Sequence, residues 1–238
     1  MGGARYDWPD SDEDLVVVQR RLADEAEAVL AAEPWTLTGR PVMGGCFVAF
    51  ARGEEGPGHP GDRAWAAAVS WRAGAVIDES VVAQQVPAAY VPGLLARREG
   101  PVLEAAVSGL RIRPDVLLVD ATGFDHPRGA GLAVQLGALL DIPSVGVTHR
   151  TLVASGAMPD EPRAGTIVPV HVGDRLVGYW VCTRTGTRAV VAHAGWRTSP
   201  DTAAQTVLAA SSPGARTPAP LRQARRVART TRAAAGAG

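Results

Sequence analysis

The chain has 238 residues, 46% of them hydrophobic, and a formal net charge of zero, which suits one globular domain, alone or with tails. No apolar run reaches the roughly 18–20 residues of a membrane span, and the acidic opening MGGARYDWPDSDED lacks the basic and apolar regions of a secretory signal. Cys46 and Cys182 both sit in apolar runs, which suggests buried thiols rather than a disulfide framework or a zinc site, so a cytoplasmic protein without membrane contact is expected.

Residues 1 to 11 are expected to be flexible. Residues 12 to 33 carry Leu15, Val18, Leu22 and Ala26 at helical spacing, with Ser11 or Asp12 placed to cap the first turn. VMGGCFVAFA, residues 42–51, reads as a strand, and after the Gly- and Pro-rich loop RGEEGPGHPGD come two more, AWAAAVSW and AVIDESVVAQQV. Three strands with short links predict an antiparallel meander. The pattern then changes to a helix after Pro92, the short buried strand PDVLLVD (114–120), a helix over 129–141 and a second buried strand PSVGV (143–147). Strands alternating with helices predict parallel pairing. Residues 166–172, 176–183 and 188–193 read as further strands and 199–210 as a helix capped by Ser199, while the Arg-, Ala- and Pro-rich stretch 211–238 is expected to fray. The fold class this layout predicts is α/β: a ribonuclease H-like mixed sheet, an antiparallel meander followed by parallel strands and flanked by helices, carried on residues 12–210. A doubly wound nucleotide-binding fold would need a G-x-G-x-x-G fingerprint after its first strand, and none follows Gly44–Gly45.

The densest chemistry lies in LLVDATGFDHPRGAGLA, residues 117–133. Asp120 ends a buried strand, where ligands bind in open α/β sheets, although a carboxylate there can equally cap the turn. His126, Pro127 and Arg128 follow in one loop and add an imidazole and a guanidinium suited to phosphate. In AYVPGLLARREGP, residues 89–101, Tyr90 precedes the stiff Pro92–Gly93 turn. It reads either as a base-stacking wedge or as a packing aromatic. Glu99 beside Arg97 and Arg98 reads by itself as a surface ion pair. All 24 basic residues are arginine, so any role that wants a compact ammonium must be filled otherwise.

Together, YVPGLLARREGP and PDVLLVDATGFDHPRGAGLAVQLGALLDIPSVGVTHRTLV resemble the endonuclease V family. The shared features are the Tyr-x-Pro-Gly turn, the Arg-Glu-Gly-Pro helix, the strand-terminal Asp, His-Pro-Arg and Leu-Gly-x-x-x-Asp-x-Pro. The resemblance runs from about residue 12 to about 210 and is strongest over 86–153. It implies a ribonuclease H-like fold and a DNA-repair nuclease that hydrolyses the second phosphodiester 3′ to a deoxyinosine using Mg²⁺ or Mn²⁺, with inosine in RNA as a further substrate of some members. It implies a monomer that binds inosine-containing or mismatched nucleic acid. By the same resemblance Tyr90, Pro92 and Gly93 form the lesion wedge, Arg128 contacts substrate, Glu99 and Asp120 hold the metal, and His126 and His149 belong to the catalytic group.

The sequence departs from the family at three places of chemical weight. The first strand has Phe47, or Cys46 after a one-residue slip, where the family carries an aspartate. His149 stands where a lysine is usual, and Trp196 where the family has the histidine of Gly-His-Arg. His193, Asp125 and Asp201 are the nearest candidates to compensate. Two readings follow: a nuclease with altered metal use, or a relative that binds lesion-containing nucleic acid without cutting it.

Overall fold

The computed structural model describes residues 7–51, 56–212 and 214–236. The helical spacing near the start is realised as α1 (Asp12–Ala32), whose buried stripe is Leu15, Gln19, Leu22 and Ala26; the Ser11 side chain caps it by accepting from the Asp14 amide. There follow β1 (Met43–Phe50), β2 (Arg63–Arg72), β3 (Ala75–Gln85), α2 (Leu95–Ser108), β4 (Val116–Val119), α3 (Leu132–Leu140) and β5 (Ser144–Thr148). The chain continues through β6 (Ile167–Val172), β7 (Arg175–Val181), β8 (Val190–Ala194), α4 (Pro200–Ala209) and α5 (Ala219–Ala235).

The strands form one eight-stranded sheet in the order β3-β2-β1-β4-β5-β8-β7-β6. The first three are the antiparallel meander, and β1–β4 and β4–β5 are parallel. The last three strands return antiparallel, a pairing that hydrophobic runs alone do not specify. The result is a ribonuclease H-like mixed sheet flanked by helices on both faces. Side chains alternate across it. On one face Cys46, Val48, Leu117 and Val119 pack against α2 and α3. On the other, Val116, Leu118 and Val145 pack against α4, while Ala49, Ala67 and Val69 pack against α5.

Both ends of the chain differ from expectation. Residues 1–6 lie outside the described residues, but 7–11 are docked: the Trp8 indole donates to Glu104 over 2.7 Å, and the Asp10 carbonyl accepts from Arg97. The stretch expected to fray forms α5, although Pro213, Ala237 and Gly238 lie outside the described residues. Leu221, Ala224, Val227 and Ala228 make a narrow apolar stripe that packs on β1 and β2. Burial of such a stripe, at about 25 cal/mol per Å², drives the docking. Gly45 makes the close approach possible, because a Cβ there would lie 2.4 Å from the Pro220 carbonyl carbon. The helix then runs along β1 toward the end of the strand, where Arg232 donates to the Phe50 carbonyl.

Candidate active site

Parallel pairing brings the ends of β1 and β4 side by side. Cys46 is opposite Val119, so Phe47 and Asp120 come next on the two chains. Alternation turns both toward α5, while Cys46 points the other way into the core, its thiol pushed up by burial and by Asp120 and Glu99. The third carboxylate position is therefore filled by the Phe47 ring and not by the Cys46 thiol.

Glu99 comes from α2 and lines a cavity of about 260 Å³ with Asp120, Phe47, Cys46 and Leu95. Its two arginine neighbours point elsewhere: Arg97 pairs with Asp12 at 2.5 Å, and the buried Arg98 pairs with Asp62 at 2.7 Å and donates to the Ala88 carbonyl. The surface-pair reading of Glu99 is thereby set aside. Burial and the nearby Asp120 push the Glu99 carboxyl up to about 7, against a smaller pull from Arg98.

Asp120 takes a partner that the sequence reading missed. Arg225 of α5 donates from Nη2 to Asp120 Oδ2 at 2.9 Å, and its guanidinium carbon lies 4.8 Å from the centroid of the Phe47 ring. Arg229, one turn on, stands 5.7 Å from the same centroid. A divalent magnesium ion takes roughly six oxygen ligands, and carboxylates anchor it. Here Phe47 offers none and Asp120 is engaged by a cation, and among the described residues no three His, Cys, Asp or Glu groups converge to hold a metal. The donor set does not fit Mg²⁺ or Mn²⁺.

A second cavity, of about 190 Å³, shares Asp120 and Leu95 with the first and is lined by Tyr90, Gly93, Thr122, His126, Thr148 and Leu152. Tyr90 stands at its edge with 41% of its surface exposed and its amide fixed to the Pro57 carbonyl at 2.8 Å. Gly93 has φ +78, a conformation open to glycine. Its carbonyl gathers three donors: Gln19 Nε2 at 3.1 Å, His126 Nε2 at 3.0 Å and Arg128 Nη2 at 2.6 Å. His126 Nδ1 accepts from the Arg128 amide, which makes Nε2 the protonated nitrogen. Burial holds this imidazole neutral, its pKa pushed down to about 4. His126 and Arg128 thus both hold the tyrosine turn, Arg128 through Nη2 to Gly93 and Nε to Gln19. Gln19 was legible only as a polar residue in the buried stripe of α1.

The remaining candidates are placed as follows. His149, exposed just past β5, has its pKa lowered by partial burial and by Arg216 and Arg225, and raised by Asp120, so it belongs to the electrostatic surroundings of that carboxylate. His193 is fully buried, bonded through Nε2 to Thr148 Oγ1 at 2.7 Å and pushed down to about 4 by burial. Asp125 is also fully buried and accepts from the amides of Leu152, Val153 and Ala154. Asp201 accepts from the Tyr179 hydroxyl, and Trp196 lies in the core with Phe124 and Trp180. None of these residues replaces the missing strand carboxylate.

Comparison with known proteins bears on the family and the fold. The family model for endonuclease V matches residues 29–226, and so reaches into α5. The endonuclease V of Methanopyrus kandleri is 37% identical over 226 residues, covering 94% of this chain and 90% of that protein. The crystal structure of endonuclease V from Streptomyces avermitilis superposes with a TM-score of 0.81 at 32% identity, covering 96% of each chain. That of Ciona intestinalis, in complex with a 24mer DNA containing an inosine followed by a ribo-adenosine, shares the fold at 19% identity, with a TM-score of 0.71 over 92% of this chain and 96% of that one. With the tyrosine turn, the helix glutamate and the strand-end aspartate assembled around the ends of β1 and β4, and with matches of this length, the chain belongs to the endonuclease V family.

Proposed function

We propose that the protein binds inosine-containing or otherwise distorted nucleic acid through the Tyr90 turn and holds it without metal-dependent cleavage. The observation that carries this reading is the contrast between the two halves of the site. The Tyr90–Gly93 turn is rigidly built, with three donors on one carbonyl, whereas the carboxylate set beside it lacks a member and Asp120 is already paired with Arg225. The DNA in the Ciona complex belongs to that protein, and the likeness to it is one of fold; the lesion-reading role rests on the Tyr90 turn itself. The second reading, hydrolysis with Mg²⁺ or Mn²⁺ near deoxyinosine, draws on Glu99 and Asp120 sharing one cavity.

An aromatic face stacked on a base contributes on the order of 1–3 kcal/mol, or roughly tenfold to a hundredfold in affinity. Tyr90→Ala is expected to weaken binding to an inosine-containing duplex by about that factor and to leave fully paired DNA much less affected, at one fixed ionic strength. Fluorescence anisotropy of the two labelled duplexes measures this. Equal losses on both would return Tyr90 to a packing role.

A further inference from the structure

We propose that Arg225 and Arg229 form a built-in cationic site that takes a backbone phosphate of the bound nucleic acid at the place where its relatives would use a metal ion. The inference rests on the binding role proposed above and names how the strand is held beside Asp120.

A site of carboxylates alone repels a phosphodiester until a divalent ion is bound. Here two cations stand beside the carboxylates. Two guanidinium groups flank the Phe47 ring, at 4.8 and 5.7 Å from its centroid, and one carboxylate, Asp120, faces them. Asp120 and the ring together fix Arg225: the carboxylate holds Nη2 at 2.9 Å and the guanidinium carbon lies over the phenyl ring, 4.8 Å from its centroid. Among the described residues this is the one side-chain hydrogen bond Arg225 makes, and its buried Nε has no partner. A guanidinium carries five donors in a planar fork matched to phosphate oxygens. Arg229 is exposed on the next turn, so a phosphate placed against Phe47 meets donors from both residues.

Phe47 and the arginines thus explain each other. A ring in place of a carboxylate removes the metal's anchor and supplies the surface on which two arginines rest. Compared with a divalent ion, the arrangement gives up the ability to activate water and keeps the ability to neutralise phosphate charge. The docking of α5, made possible by Gly45, brings both arginines to the end of β1.

The test uses the whole chain and a labelled inosine-containing duplex, with affinity measured against salt concentration, first with EDTA and then with Mg²⁺. Wild-type affinity is expected to be the same in both. Arg225→Gln is expected to weaken binding about tenfold, the size of a lost charged hydrogen bond, and to reduce the slope of log affinity against log salt by about one. Arg229→Gln, at an exposed position, is expected to reduce the slope similarly without bearing on folding. Arg163→Ala, which removes an exposed arginine paired with Glu161, controls for general loss of charge and should leave the slope unchanged. Unchanged slopes in both glutamine variants, or wild-type affinity that rises markedly on adding Mg²⁺, would overturn the inference. Reduced slopes without any preference for inosine would sustain the phosphate site while removing the lesion-reading role.

Discussion

Asp125→Ala is expected to destabilise the protein by about 3–5 kcal/mol, the scale on which buried donors are left unsatisfied. The carboxylate is fully buried and accepts from three consecutive amides, those of Leu152, Val153 and Ala154, at 2.7–2.8 Å. Alanine leaves these amides without an acceptor and opens a hole between the loop after β4 and the segment after β5. Water can reach the amides of Leu152 and Val153, whose side chains are exposed, but not readily that of the buried Ala154. Asp125→Asn keeps one acceptor oxygen and is expected to cost less, about 1–2 kcal/mol. Urea unfolding followed by circular dichroism compares the three proteins. A cost below about 1 kcal/mol for alanine would show that the segment carries its own hydrogen bonds.

The second large effect is expected from rebuilding the carboxylate set. Phe47→Asp combined with Arg225→Ala removes the ring and the competing cation and places a third carboxylate beside Asp120 and Glu99. The double variant is expected to become less stable without metal, because three carboxylates then crowd a partly desolvated site. It is expected to gain stability with Mn²⁺, by about 2.7 kcal/mol when the ion is at a hundred times its dissociation constant. The native protein should show no such gain. Thermal unfolding with and without Mn²⁺ separates these outcomes. A native protein stabilised by Mn²⁺ as strongly as the double variant would mean that Glu99 and Asp120 suffice to hold a metal.

Much of the fold was legible because its signals are local. Helical spacing at Leu15, Leu22 and Ala26, short buried strands ending at Val119 and Thr148, and the Ser199 cap each lie within a few residues of one another. Asp120 and His126 could be singled out for the same reason, since they follow a recognisable strand, whereas the site roles expected of Tyr90 and Glu99 came from the family resemblance. What sequence spacing does not carry is which groups face each other. Arg225 reaches Asp120 across 105 positions, and Gln19 reaches Arg128 across 109. α5 was obscured by composition: half of its apolar stripe is alanine, and five arginines surround it, so it reads as a solvated tail until Gly45 and the small residues of β2 provide a surface for it. His126 and Arg128 illustrate the converse. Their chemistry suits catalysis and phosphate, and only the three-dimensional contacts show that both also hold the Gly93 carbonyl.

The central claim, selective binding at a site that does without a metal, is most directly tested by one experiment on the native protein. A deoxyinosine-containing duplex and its fully paired counterpart are incubated with it in EDTA, in Mg²⁺ and in Mn²⁺, and both retention and strand integrity are followed. Preferential retention of the inosine duplex, equal in all three conditions and with the strand intact, is the expected result. Cutting of the inosine strand that appears only with Mg²⁺ or Mn²⁺ would contradict it.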